Sequence, residues 1–113
     1  MKSKILALSK NEEFKNLLQQ KKISNKYVTI FYGKLVNKSK SKLNISFVTK
    51  KKIGNAVKRN KIKRRLRNIV NEAIKTITIE LDYSYLVIAK PTMLNNDYTI
   101  IKETLFKDLE RIS

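Results

Sequence analysis

Apolar residues recur along this chain with two different periods, and the switches between them mark the elements. Ser9 with Glu12 three residues on is a capping-box pattern, and Phe14, Leu17 and Leu18 follow at helical spacing, predicting a first helix over roughly 10–20. Residues 26–32 (Lys-Tyr-Val-Thr-Ile-Phe-Tyr) are β-branched and aromatic and run into Gly33, which predicts a strand. Residues 33–42 are polar and charged; they read as a hairpin loop, flexible like residues 1–8. In 43–49, Leu43, Ile45 and Phe47 fall on one face of a second strand, and Lys50–Gly54 forms a basic turn. A long helix follows over about 56–78 with Asn55 as its cap. Asp82 opens a third strand, Tyr83–Ala89, which Pro91 stops. The final segment, 96–112, sets Tyr98, Ile101, Leu105, Leu109 and Ile112 on one helical face. The order αββαβα, without repeats or linkers, predicts a single domain over 1–113, an α/β sandwich of the α+β class.

The central helix has a second pattern laid over the first. At about 100° per residue, Ile62, Leu66, Ile69, Val70, Ala73 and Ile77 share one stripe, which is the buried one. Arg59, Asn60, Lys63, Arg64 and Arg67 adjoin it on one side, and Lys58, Lys61, Arg65 and Asn68 take the remaining arc. A solvated helix normally mixes acids among its bases for i,i+4 pairing, yet no acid occurs here before Glu72. Several cations also crowd the helix N-terminus, where the macrodipole disfavours them. An anionic partner supplies the counter-charge this helix lacks.

The whole chain carries the same asymmetry. It has 26 Lys+Arg against 9 Asp+Glu, a formal charge of +17 over 113 residues. No acid falls between Phe14 and Asn71, a stretch with 18 Lys+Arg, ten of them between Lys50 and Arg67. Such one-sign clustering points to a polyanion. Zero Cys and zero His exclude disulfides, thiolate nucleophiles, Cys/His zinc sites and imidazole bases. The apolar runs are too short for a membrane span, and the first residues too short in apolar content for a signal peptide. A soluble, cytoplasmic protein is expected.

Lys51-Lys52-Ile53-Gly54-Asn55-Ala56-Val57-Lys58-Arg59-Asn60-Lys61-Ile62-Lys63-Arg64-Arg65-Leu66-Arg67 resembles, without a gap, the signature block of the bacterial ribonuclease P protein component. That block joins a Lys-Lys-x-Gly-Asn-Ala-Val turn to Arg-Asn-[basic]-[aliphatic]-Lys-Arg and a further base one turn later. Less specific likeness extends over Asn11-Glu12-Glu13-Phe14, the strands, Leu86-Val87-Ile88-Ala89-Lys90-Pro91 and the last helix. Two positions depart from the pattern: Leu18 where a second aromatic is common, and Lys50 where a small hydroxyl residue is usual.

The resemblance implies an αβββαβα order, a ribosomal protein S5 domain 2-like fold with a central sheet, a long basic helix and a left-handed βαβ crossover. The default for such crossovers is right-handed. The extra strand would come from a split within 26–50. The resemblance also implies that a catalytic RNA removes the 5′ leader of precursor tRNA by hydrolysis, while the protein binds that RNA and holds the leader between the sheet and the first helix. Carried over by position, Lys51, Lys52, Asn55, Arg59, Asn60, Lys63, Arg64 and Arg67 are the RNA-binding residues. Phe14 faces the leader cleft, and Tyr27, Phe31 or Tyr32 supplies an aromatic on the strand floor. Strand alternation separates Tyr27, Thr29 and Phe31 from Val28, Ile30 and Tyr32 and leaves open which set faces RNA. No residue is expected to be catalytic or to hold a metal; magnesium would enter through the RNA, and the protein would be monomeric within the holoenzyme.

Each singled-out residue also has a plainer explanation. Phe14 can be simple core, Gly54 a structural turn, and Asn60 a solvated helix position. Size and charge alone fit a small ribosomal protein equally well, and only the ordered block from Gly54 to Arg67 separates the two; a DNA-packaging role ranks third and would predict dimerisation and little preference for RNA.

Overall fold

Strand pairing between distant segments organises the computed structural model, which describes residues 5–6, 11–35 and 42–112. The strands are β1 (Ile5–Leu6), β2 (Lys21–Ser24), β3 (Val28–Gly33), β4 (Leu43–Val48) and β5 (Ser84–Ala89), and the helices α1 (Asn11–Leu18), α2 (Ala56–Thr76) and α3 (Tyr98–Ile112). They form one sheet in the order β1-β4-β5-β3-β2. β4 and β5 are parallel neighbours joined through α2, whereas β3 pairs antiparallel with both β5 and β2.

Alternation sorts the side chains onto two faces. Val28, Ile30, Leu43, Ile45, Tyr85, Val87 and Ala89 meet the stripe of α2 (Ile62, Leu66, Ile69, Val70, Ala73) and that of α3 (Ile101, Leu105, Leu109, Ile112). The opposite face carries a smaller cluster in which Leu17 of α1 is buried with Leu86, among Phe14, Phe31, Leu35, Val48 and Ile88. The sheet therefore lies between α2 and α3 on one side and α1 on the other, the sandwich expected from the sequence.

Several expectations need correcting. The additional strand is not a split within 26–50 but β2, ahead of that range. Its four residues, Lys-Lys-Ile-Ser, hold one apolar side chain, because an edge strand with a mostly exposed surface needs no alternating pattern. Ile5–Leu6 does not trail freely: it pairs in parallel with Leu43 and Asn44. β3 starts at Val28 because Asn25 Oδ1 accepts hydrogen bonds from the backbone N–H of Tyr27 (2.7 Å) and Val28 (2.9 Å), holding Tyr27 in a turn. β5 starts at Ser84; Asp82 lies in the preceding loop, its N–H donating to Glu80 Oε1 at 3.0 Å. The proposed cap Ser9 and the central part of the 33–42 loop lie outside the described residues, as do most of residues 1–8.

Long-range polar contacts fix the β2–β3 turn. Asn25 Nδ2 donates to Asp108 Oδ2 of α3 at 2.6 Å, Lys90 Nζ to Ser24 Oγ at 2.9 Å, and Thr92 Oγ1 to the carbonyl of Lys26 at 2.6 Å. The turn is thereby tied to both the end of β5 and the last helix.

Candidate RNA interface

The basic block folds as a 3-10 turn, Lys51–Ile53, followed by Gly54 and then α2. Lys51 and Lys52 are exposed while Ile53 is buried, so the turn is anchored by one side chain and presents two cations. Gly54 has φ 154°, a conformation rarely open to L side chains. Asn55 caps α2: its Oδ1 accepts from the Lys58 N–H at 3.0 Å. The first turn of α2 contains no acid, so its partial positive charge adds to that of Lys58 and Arg59.

The flanks of α2 open onto two different grooves. In the first, of about 250 Å³, Lys63 and Arg67 lie one helical turn apart and face Phe14 of α1 across Ile45, Ser46, Phe47 and Val48 of β4. Among the described residues β1 pairs with Leu43 and Asn44 of β4, and the groove lies along Ile45–Val48, between the helix above the sheet and the helix below it. Its lining combines two aromatic rings, Phe14 and Phe47, with two cations and no carboxylate. Such a channel suits a sequence-tolerant single strand, with phosphates on the cations and a base on a ring. Arg59, one turn ahead of Lys63, is half-buried, and its Nε has no hydrogen-bond partner among the described residues.

The second groove, of about 380 Å³, lies between α2 and the start of α3 and is lined by Val57, Lys61, Arg64, Arg65, Asn68 and Tyr98. Arg64, grouped on sequence grounds with Lys63 and Arg67, belongs here instead. At about 140° from Arg59 it stood at the boundary of that face, and packing of α3 draws the line beside it. Lys61, Arg65, Asn68, Val57 and Tyr98 were not among the expected RNA-binding residues. Helical angle was the available signal, since the α2 members of the groove fall between about 140° and 240°.

Of the expected leader-cleft residues, Phe14 and Phe31 share the α1 side of the sheet, whereas Tyr27 and Tyr32 do not. Phe14 lines the first groove. Phe31 is on the same side of the sheet but packs under α1 with Leu17 and Leu86, with Lys22 Nζ 6.0 Å from its ring centre. Tyr27 and Tyr32 lie on the opposite side, in the main core cluster; the Tyr32 ring meets that of Tyr83 at a tilt, with centroids 5.6 Å apart. Tyr83 in turn meets Tyr85 edge-on, and the Tyr85 hydroxyl donates to the carbonyl of Glu80 at 2.7 Å. Burial, with Glu80 nearby, pushes the Tyr85 phenol up, so it stays a neutral donor. Leu18 is exposed, and Asn60 is an exposed position on α2 between the two grooves.

The family model of Ribonuclease P matches residues 3–113. The chain belongs to that family. Relatives within it include the ribonuclease P protein component of Carboxydothermus hydrogenoformans, 36% identical over 102 residues, covering 87% of this chain and 83% of the relative. That of Mycoplasma mycoides is 35% identical over 106 residues, covering 93% and 94%. The fold is shared with the ribonuclease P protein of Thermotoga maritima, at TM-score 0.78 and 24% identity over 96% of this chain and 98% of that one. It is shared too with the protein of Staphylococcus aureus, at TM-score 0.75 and 23% identity over 94% and 93%. Membership in the ribonuclease P family disfavours the ribosomal-protein alternative and agrees with the resemblance carried by the block from Lys51 to Arg67.

Proposed function

We propose that this ribonuclease P protein component binds a catalytic RNA and the 5′ leader of precursor tRNA, and that the RNA performs the hydrolysis. The observation that carries this reading is the first groove, where Phe14, Lys63 and Arg67 surround the edge of β4 without a carboxylate. Leaders differ in sequence, so contacts to phosphates and to base faces serve them all, whereas base-edge readout would not. The cations offset phosphate repulsion where substrate and catalytic RNA approach one another. Magnesium belongs to the RNA in this reading. No step of the protein itself then depends on it. In this reading the protein acts as one copy within a cytoplasmic ribonucleoprotein.

Reconstitution with the ribonuclease P RNA and precursor tRNA tests this. Cleavage at low magnesium is expected to rise on adding the protein. Lys63→Ala and Arg67→Ala are each expected to weaken precursor binding and flatten its log–log salt slope by about one unit. Equal low-magnesium cleavage with and without protein would refute the role, and unchanged slopes would remove both residues from the phosphate contacts.

A further inference from the structure

The second groove has features that a solvated helix flank does not need. Val57 is 76% exposed in the first turn of a helix otherwise dominated by cations, with no core to join. Across from it stands Tyr98 at the start of α3, packed against the core cluster. Burial, with Glu72 nearby, raises its phenol pKa, so the ring stays neutral, and Glu72 is itself paired with Lys102 at 3.3 Å. Arg65 Nη1 donates to the carbonyls of Met93 (3.2 Å) and Asn96 (3.3 Å). Its guanidinium is therefore fixed by neutral acceptors, and its charge is not cancelled. Lys61, Arg64 and Asn68 are exposed along the rim.

We propose that the α2–α3 groove seats an unpaired nucleotide of the partner RNA, its base against Val57 and Tyr98 and its neighbouring phosphates on Lys61 and Arg64. Unpaired bases are bound by stacking on aromatic rings and guanidinium planes, and both surfaces are present and held in place here. Asn68 offers a donor and an acceptor to a base edge or a 2′-hydroxyl. The occupant is a strand and not a free mononucleotide: the stripe from Val57 to Asn68 extends over twelve residues, about 16 Å of helix. Glu72 closes the anionic track at its far end. The two grooves open on opposite flanks of α2, so one helix touches two RNA segments, the leader on the Phe14 side and the catalytic RNA on the Tyr98 side. This rests on the proposed function and adds to it a base-binding site on α3.

Val57→Asp is the discriminating variant. An acid in the first helical turn favours the fold, so weaker binding cannot be ascribed to unfolding. Its Kd for the ribonuclease P RNA is expected to rise by about tenfold or more, the scale of one stacked base with its phosphate contact. Lys63→Ala should act instead on the preference for precursor over mature tRNA at saturating protein. The chain has no Trp, so Val57→Trp supplies a sole reporter whose fluorescence should be quenched by a base stacked on it when the RNA binds. An RNA Kd within about twofold of the parent for Val57→Asp, or an unquenched Trp in the bound Val57→Trp complex, overturns the site while leaving the proposed function standing. Failure of the parent to bind the RNA at all overturns the proposed function, and the site with it.

Discussion

At Gly54 the absence of a side chain decides how the basic turn meets α2. Its φ of 154° is strained for any L side chain, and a Cβ built there would lie 2.8 Å from Cδ and 3.3 Å from Cβ of Lys58. Lys58 could swing its stem aside, but the backbone strain would remain. Gly54→Ala is expected to cost about 1–3 kcal/mol, read as a lower urea midpoint at unchanged m-value. A midpoint equal to the parent's would show that the turn relaxes freely. Because Lys51 and Lys52 hang on the same turn, RNA affinity should fall further than the stability loss alone explains. The φ value and the Lys58 stem account for it as the structural turn that the sequence allowed. Gly33 has a looser constraint: a Cβ there would meet the side chain of exposed Gln20, which would have to swing aside.

Among the elements, α1 depends most on a single side chain. Leu17 is fully buried against Leu86, and with Phe14 alongside it holds the helix on the sheet face that α2 and α3 leave open. Leu17→Ala is expected to destabilise by about 2–5 kcal/mol, the usual range for a buried leucine. Hydrogen exchange should quicken first in Asn11–Leu18, and the preference for precursor over mature tRNA should fall more than affinity for the catalytic RNA, because Phe14 moves with α1. Equal losses in both affinities would mean that α1 does not position the leader. The same element explains what the sequence concealed. The long helices and the three central strands were legible because each buries a continuous stripe. Which strand face met α1 was not, since Tyr27 and Phe31 share a parity that the Asn25 turn breaks before β3 begins. β2 was hidden because only Ile23 marks it, and Tyr32 turned inward because Tyr83, from a loop, completes its aromatic contact.

Over the whole molecule the +17 charge acts on stability and on binding with opposite signs of salt dependence. The acid-free segment from 14 to 71 includes β2, β3, β4 and most of α2, so its cations repel one another within the sheet and along the helix. Ion pairs such as Lys102–Glu72 and Arg111–Asp108 involve α3, away from the densest block, and do little to offset that repulsion. The Debye length shrinks from about 30 Å at 0.01 M salt to about 10 Å at 0.1 M, which spans the dimensions of this molecule. Added salt is therefore expected to raise the Tm of the free protein across that range while weakening its affinity for RNA, whose counterions it competes to restore. Saturating RNA at low salt should raise Tm more than salt alone if, as proposed, phosphates occupy the two grooves and bind the folded state more tightly than the unfolded one. The excess of cations was plain from the sequence; its division between two flanks of one helix was not, because α1 and α3 come from opposite ends of the chain to build those walls. A Tm that falls as salt rises would mean that attractive pairs dominate the free protein. The acid-free middle would then have to be stable without its partner, and the argument from missing counter-charge to a bound polyanion would lose its physical basis.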